Sequence, residues 1–395
     1  MQRSCVVLKY GELALKGRNR KRFEDTLYRN LQNTIADLPG VHIRKRHGVL
    51  VVRADVEQDL LLQRAGLVLG IAVLHRALMV DSEVASIEQA ARELMSGFPA
   101  GTSFAIRPRR RWKGFELRSS ELAVRLGDLV RTELGLRVDL SAPDVELGLE
   151  VDRHETLLYT EKLPGQGGLP AGVNGRALTL LSGGFDSPVA AYRAMRRGLG
   201  VDYVHFSGMP FTSPASIYKA YALVGKLNQY RGGRSRLWVV SFGNAQKQLA
   251  TAGAGKLQVL AQRRLMMRTA SALASRIGAA ALVTGDSLGQ VSSQTLPNLI
   301  AVEAAADLPL LRPLLGWDKS EIVAESERIG TAEVSRLPDE DCCTLFASPL
   351  AETRADVTEL DRIDRRLELE PLVEALLASA KLHEFDVRNS HSEAA

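Results

Sequence analysis

At 395 residues the chain is long enough for two or three domains, each with its own buried core. Its 45% hydrophobic and 25% charged residues match globular proteins and exclude a fibrous or disordered chain. No run of about 18 apolar residues and no charged-then-apolar leader occurs, so no membrane span is expected and the cytoplasm is the default compartment. Three cysteines, Cys5, Cys342 and Cys343, are too few for a disulfide framework of the secreted kind, and reduced thiols are expected. The net charge of +5 is uneven: residues 1–118 hold 21 Lys and Arg against 12 Asp and Glu, and the remainder 30 against 34. A basic front half suggests a polyanion partner; a solvated basic surface is the alternative reading.

In chain order, strand-like runs at Cys5–Tyr10, Val41–Arg46 and Val49–Arg53 surround a helical stretch from Arg20 to Ala36, closed by Leu38-Pro39-Gly40. This predicts a small α+β module over 1–58. A second α+β module over 59–162 has strand candidates at Ile71–Val80, Thr102–Arg107, Val145–Val151 and Thr156–Glu161, with helices at Val84–Ser96 and Ser119–Leu134. The stretch 163–175, LPGQGGLPAGVNG, holds five glycines and two prolines, can pack little, and reads as a linker. From 176 to 390 short apolar runs (Ala177–Leu181, Gly200–Phe206, Arg236–Ser241, Ala279–Thr284) alternate with helical stretches (Pro188–Arg197, Ser216–Tyr230, Gln258–Ile277). That alternation predicts βαβ units around a parallel sheet, with ligands at the carboxyl ends of the strands.

Within that last region, LTLLSGGFDSPVAAYRAMRRG places a strand, the tight loop Ser182-Gly183-Gly184-Phe185-Asp186-Ser187, and a helix opening at Pro188. Two glycines let backbone approach an anion, Ser182 and Ser187 offer hydroxyls, and proline suits a first helical turn. The free N–H groups and the positive helix end then face the loop, as phosphate binding requires. A Walker A loop ends in Gly-Lys and Ser or Thr, and this loop has no lysine, which disfavours γ-phosphate transfer. The pattern resembles the PP-loop of ATP pyrophosphatases, which attach AMP to a carbonyl oxygen and release pyrophosphate.

Taken with KYGELALKGRNRKRF near the start, LVTGDSLGQVSSQT at 282–295, LRPLLGWDKSEI at 311–322 and DCCTLF at 341–346, the loop makes the chain resemble the tRNA 4-thiouridine synthase (ThiI) family. The resemblance covers nearly all of residues 1–390. It implies a ferredoxin-like domain, a THUMP RNA-binding domain and a parallel-sheet PP-loop domain, in a short form without the C-terminal rhodanese domain of long members. It also implies an ATP-dependent sulfurtransferase acting on uridine 8 of tRNA. The family's ATP contacts carry over to Leu180, Leu181, Ser182, Gly183, Gly184, Ser187, His205, Phe206, Arg263, Gly285 and Gln294. Arg264 follows Arg263 directly, so the register of that contact is open.

The implied chemistry begins with adenylation of the uridine C4 oxygen, with a magnesium ion and with Asp186 orienting phosphates or metal; helix capping is a compatible role for Asp186. A cysteine persulfide then attacks C4. Cys343 matches the family's sulfur-accepting position and Cys342 is the alternate. The resolving thiol could be Cys342, a partner protein or a small thiol, with an external one favoured because adjacent cysteines bond only through a strained ring. Cys5 reads as structural, and the seven histidines show no metal-ligand spacing. A cysteine desulfurase is implied as persulfide donor, and transfer to a sulfur-carrier protein for thiamine thiazole synthesis and a homodimer are compatible with the family. Basic clusters at Lys16, Arg18, Arg20 and Lys21, at Arg44–Arg46, and at Arg107, Arg109, Arg110, Arg111 and Lys113 are candidates for tRNA phosphates, with Trp112 placed to stack or pack. Two other classes fit the sequence less well: a PP-loop ligase or amidotransferase using ammonia, and a non-catalytic tRNA-binding protein.

Overall fold

Val6, Val7 and Leu8 are fully buried, which requires a first strand with neighbours on both edges and cover on both faces. The computed structural model of the chain describes residues 2–15, 17–46, 48–338, 345–346 and 352–388. The chain packs as two compact units, one of residues 1–17, 35–67 and 71–167 and one of 18–34, 68–70 and 168–395.

The first unit is one sheet of β1 (Arg3–Tyr10), β2 (His42–Arg46), β3 (Val49–Arg53), β4 (Ile71–Asp81), β5 (Ser103–Arg110), β6 (Arg137–Val138), β7 (Val145–Val151), β8 (Glu155–Tyr159) and β9 (Leu163–Pro164). Its order is β2-β3-β1-β4-β8-β7-β5-β6, with β9 added to β4. All pairings are antiparallel except those of β5 with β6 and β7. After α1 (Arg20–Thr34), which belongs to the second unit, come α2 (Gln58–Gly66), α3 (Val84–Ser96) and α4 (Ser119–Leu134). The helical spacing of Ile87, Ala90, Ala91 and Met95 on α3, and of Leu122, Leu126 and Val130 on α4, lays one apolar stripe of each helix on Phe104, Leu147 and Leu149. A Gly135 in the left-handed conformation ends α4.

In the second unit β10 (Arg176–Leu180), β11 (Gly200–Ser207), β12 (Arg234–Ser241), β13 (Ala281–Val283), β14 (Leu310–Leu311) and β15 (Lys381–Asp386) lie in the order β14-β13-β10-β11-β12-β15. All are parallel but β15, an antiparallel edge strand that the sequence pattern did not announce. The helices are α5 (Asp186–Arg196), α6 (Ala215–Arg231), α7 (Gly243–Thr251), α8 (Gln258–Ile277), α9 (Leu296–Glu303), α10 (Lys319–Arg328), α11 (Ala332–Arg336), α12 (Val357–Arg365) and α13 (Leu369–Ala378). Leu260, Leu265, Met267 and Leu273 of α8 pack on Leu178, Val204 and Val240, the face opposite to their strand neighbours. Tyr192 of α5 and Tyr230 of α6 meet edge to face at 5.2 Å.

Residues 163–175 pack more tightly than their composition suggests. Leu169, Ala171 and Val173 are buried, and a Cβ at Gly165 or Gly168 would stand 2.3 Å from the carbonyl oxygen of Ile71 or Arg196 respectively. Gly165 and Gly168 are there for close backbone approach, not for looseness.

At the amino ends of the parallel strands, the fully buried Asp202 accepts hydrogen bonds from Arg236 (Nη2, 2.8 Å), Arg231 (Nη1, 3.0 Å) and Arg176. Burial alone would raise this carboxyl, but Arg231, Arg236 and Arg176 outweigh it and hold it below its ordinary range. With a folded value below the unfolded one of about 3.9, its stabilisation is complete above the latter and lost as pH falls through the folded value. Asp202→Ala, which strands three guanidiniums, is expected to cost about 3–5 kcal/mol in urea unfolding at neutral pH, with a smaller deficit as the pH is lowered.

Candidate active site

β10 delivers the chain to Ser182-Gly183-Gly184-Phe185, and α5 opens at Asp186, two residues before the expected Pro188. Pro188 still lies in the first turn, where no backbone donor is required. Asp186 makes no capping hydrogen bond. The Ser187 hydroxyl closes the loop on itself: it accepts from Ser182 N–H at 2.8 Å and lies 3.1 Å from Ser182 Oγ. Gly184 faces open space apart from Ser182 Oγ, 3.6 Å from a notional Cβ. The amides at the start of α5 are thereby presented together at a positive helix end.

A cavity of about 470 Å³, within the usual range for small-molecule sites, opens at the carboxyl ends of β10, β11 and β13. Leu180, Leu181, Ser182, Gly183, Gly184, Asp186, Ser187, His205, Phe206, Arg263, Gly285 and Gln294 all line it. Phe206, Val259, Met266 and Met267 give the cavity an apolar lining suited to a flat aromatic ring. The buried His205 is fixed from both sides, Nδ1 2.9 Å from Leu181 O and Nε2 3.2 Å from Ser216 Oγ.

Gly285 brings β13 against the start of α5, since a Cβ there would stand 2.6 Å from Ser187 N. The next residue, Asp286, is buried and pairs with Arg263 Nη2 at 2.5 Å, while Thr284 Oγ1 donates to it at 2.8 Å and Arg312 Nε at 3.3 Å. Burial pushes its carboxyl up, yet Arg263, the Thr284 hydroxyl and Arg312 together hold it below the ordinary value. Arg263 also donates to Ser293 O at 3.1 Å, and Gln294 Nε2 to Asp286 at 3.4 Å. Of the two adjacent arginines, Arg263 lines the cavity, whereas Arg264, 2% exposed, binds Asp364 at 2.7 Å and Asp361 at 2.6 Å.

The sequence reading missed Asp286 as a site residue, although it lies within a motif singled out there. It also missed Lys319, whose Nζ donates to Asp186 Oδ1 at 2.7 Å, and Gln290, whose Nε2 donates to Oδ2 at 3.0 Å. Their signal was present in GDSLGQ and GWDK, but their target is more than 100 residues away in sequence. Cys342, Cys343 and Lys16 lie outside the described residues. Cys5 is buried in β1, and burial pushes its thiol up to about 12, as befits a packing residue.

The basic residues divide between the units. Arg18, Arg20 and Lys21 belong to the second, with Arg20 paired to Glu24 at 2.7 Å. In the first, Arg109 and Lys113 are exposed, Arg107 is bonded to Glu146 at 2.9 Å, and Arg110 Nη1 donates to Leu117 O at 3.2 Å. Arg111 is committed to the buried Glu150 at 2.6 Å, which Lys9 also approaches at 3.1 Å. Arg44, Lys45, Arg46, Arg111, Arg153 and His154 surround a cleft of about 420 Å³ that also holds Asp152 and Glu155.

A parallel sheet that passes through a lysine-free glycine loop into a helix, with a nucleotide-sized cavity at its carboxyl edge, is a PP-loop ATP-pyrophosphatase domain. Family profiles match the thiamine biosynthesis protein ThiI over residues 172–369, the ThiI ferredoxin-like domain over 5–74 and the THUMP domain over 82–161. The chain is 52% identical to a probable tRNA sulfurtransferase of Nocardia farcinica, covering 94% of this chain and 92% of the relative. It is 38% identical to one from Caldanaerobacter subterraneus subsp. tengcongensis, covering 94% and 97%. A crystal structure of a 4-thiouridine synthetase in complex with RNA and bound ATP is 31% identical, with a TM-score of 0.88 over 97% of this chain and 99% of that one. The chain belongs to the ThiI family of tRNA sulfurtransferases.

Because a Cβ at Gly285 meets backbone, not a side chain that could swing aside, Gly285→Ala must part β13 from α5. Calorimetry is expected to show ATP affinity about tenfold or more lower, in line with overpacking costs of about 1–3 kcal/mol.

Proposed function

We propose that this chain is an ATP-dependent tRNA uridine 4-sulfurtransferase that adenylates uridine 8 and replaces its C4 oxygen with sulfur. The observation that carries the reading is the full-length likeness to a 4-thiouridine synthetase solved with RNA and ATP, combined with a cavity that gathers the loop, Arg263 and Asp186. The proposed domain boundaries are 1–58 ferredoxin-like, 59–162 THUMP, 163–175 linker and 176–390 PP-loop.

In the first half-reaction the uridine O4 attacks the α-phosphorus of ATP, the bond to the β-phosphate breaks, and pyrophosphate leaves with the electron pair. The amides at the start of α5 face the leaving charge, and Arg263 lends a permanent positive charge to the cavity wall. Lys319 and Gln290 hold the Asp186 carboxylate in place. Magnesium is usually held by one or two carboxylates with substrate phosphates, and Asp186, in the cavity wall beside the loop, fits that role. Such an ion would neutralise phosphate charge as the bond breaks. In the second half-reaction the terminal sulfur of a persulfide on Cys343, with Cys342 as the alternate carrier, bonds to C4 and AMP departs with the oxygen. A second thiol takes the inner sulfur, leaving 4-thiouridine and a disulfide.

The proposal extends to a cysteine desulfurase as persulfide donor, a sulfur-carrier protein as second acceptor, a homodimer and the cytoplasm, all on the strength of the family. The described residues contain no helix long and apolar enough to cross a membrane.

The test supplies unmodified tRNA, ATP, cysteine and a cysteine desulfurase, and counts 4-thiouridine by nucleoside mass spectrometry. Wild type is expected to form product. Asp186→Ala should lose it together with pyrophosphate release, on the order of 10²-fold for a lost electrostatic group. Cys343→Ser should lose product but keep pyrophosphate release. Full thiolation by Cys343→Ser sinks the proposed carrier, and a wild type that never forms AMP sinks the enzyme.

A further inference from the structure

Described chain stands on either side of residues 339–344, where Cys342 and Cys343 fall, and both sides are tied to the nucleotide site. On the amino side, Lys219 of α6 is 4% exposed and donates from Nζ to the carbonyl oxygens of Leu337 at 2.7 Å and Ser335 at 3.3 Å. Those carbonyls end α11, where helix groups lack intrahelical partners. Ser335 Oγ in turn donates to Gly184 O of the phosphate loop at 3.2 Å. On the carboxyl side, the fully buried Gln262 of α8 donates from Nε2 to Leu345 O at 2.9 Å. Phe346 follows, with a left-handed backbone at φ 59° and its ring edge-on to Phe211 at 5.4 Å.

An ammonium buried to this degree carries a desolvation cost that only directed donation offsets, and an apolar side chain would fill the same volume more cheaply. Its donation to Leu337 O and Ser335 O ties the chain leaving α11 to α6. Gln262 precedes Arg263, so the same turn of α8 lines the cavity and fixes Leu345.

We infer that Lys219, Ser335 and Gln262 are positioning residues for the sulfur-transfer half-reaction, registering the two flanks of the cysteine-bearing segment against the phosphate loop and α8. The inference rests on the sulfurtransferase reading with Cys343 as carrier. The step they serve forms the bond from persulfide sulfur to C4 and breaks the C4–O bond, with AMP taking oxygen and electron pair; a second thiol then breaks the S–S bond and forms a disulfide. Adenylation precedes these events and is read separately, as pyrophosphate release.

The experiment uses the full chain with ATP, unmodified tRNA, cysteine and a cysteine desulfurase, and follows tRNA-dependent pyrophosphate release and single-turnover 4-thiouridine formation in parallel. Lys219→Met and Gln262→Leu are expected to slow thiouridine formation about 10²-fold, the penalty for small misplacement of reacting groups, while pyrophosphate release and the KM for ATP stay within about twofold. Lys219→Arg, which keeps a cationic donor, should recover most of the loss. Should Lys219→Met not fold, Gln262→Leu, a near-isosteric apolar change, decides alone. A parallel fall of both activities, or unchanged thiolation, overturns the inference and leaves the enzyme assignment standing. Absence of pyrophosphate release from wild type overturns the assignment and the inference with it.

Discussion

The approach of the Gly285 backbone to the first residues of α5 is the constraint on which the site depends. No side chain fits between them, since a Cβ would lie 2.6 Å from Ser187 N and 2.7 Å from the Asp186 carbonyl carbon. Sheet order makes β13 the neighbour of β10, and the close approach locks the ends of those two strands together beyond the last ladder pairing, Thr179 with Val283. The chain leaving Gly285 lines the cavity with Asp286, Val291, Ser293 and Gln294. It turns Asp286 toward α8, and four residues further on Gln290 reaches back to Asp186. The loop that faces an anion and the wall that carries the charges are thus one assembly, joined at Gly285 and again where Gln290 donates to Asp186.

Electrostatics follow from that contact. Asp286 is buried, and a buried carboxylate without partners would be costly; Arg263, Arg312 and Thr284 satisfy it and keep it ionised. In return the carboxylate holds two guanidiniums at fixed positions beside the cavity. Asp186 does the same for Lys319. Cations held in place before a polyphosphate enters need little reorganisation when charge develops, which is the sense in which such a site is prepared for adenylation. Asp202 at the opposite ends of the strands has similar chemistry and a different use: three arginines close on one buried acid and fasten β10, β11 and β12 together.

How much of this was legible in the sequence depended on whether the determining contact was local. Strand, glycine loop and helix around Ser182–Ser187 are a local pattern, and only the helix start was misplaced, because Asp and Ser ahead of a proline look like caps. The packing of residues 163–175 was underestimated because Leu169, Ala171 and Val173 sit among glycines at no regular period, so their burial left no trace in the pattern. β15 escaped notice as a half-exposed edge strand, its register set by β12 about 150 residues earlier. Arg263 and Arg264 could not be told apart at all. Their difference lies in Asp286 on one side and Asp364 on the other, each brought up by a separate element.

That pair shows what α8 contributes beyond its apolar stripe. Successive helical residues point about 100° apart, so three in a row face three directions. Gln262 is bonded to Leu345, Arg263 to Asp286 at the cavity, and Arg264 to Asp364 of α12. A rotation that improved any one of these would break the other two. The buried apolar residues around α8, Leu260, Leu265, Met267 and Leu273 among them, set the height of the helix on the sheet but tolerate small turns, as packed apolar surfaces do. The three polar contacts remove that freedom, and they do so at the one turn of α8 that lies beside both the nucleotide cavity and the chain following the cysteine pair.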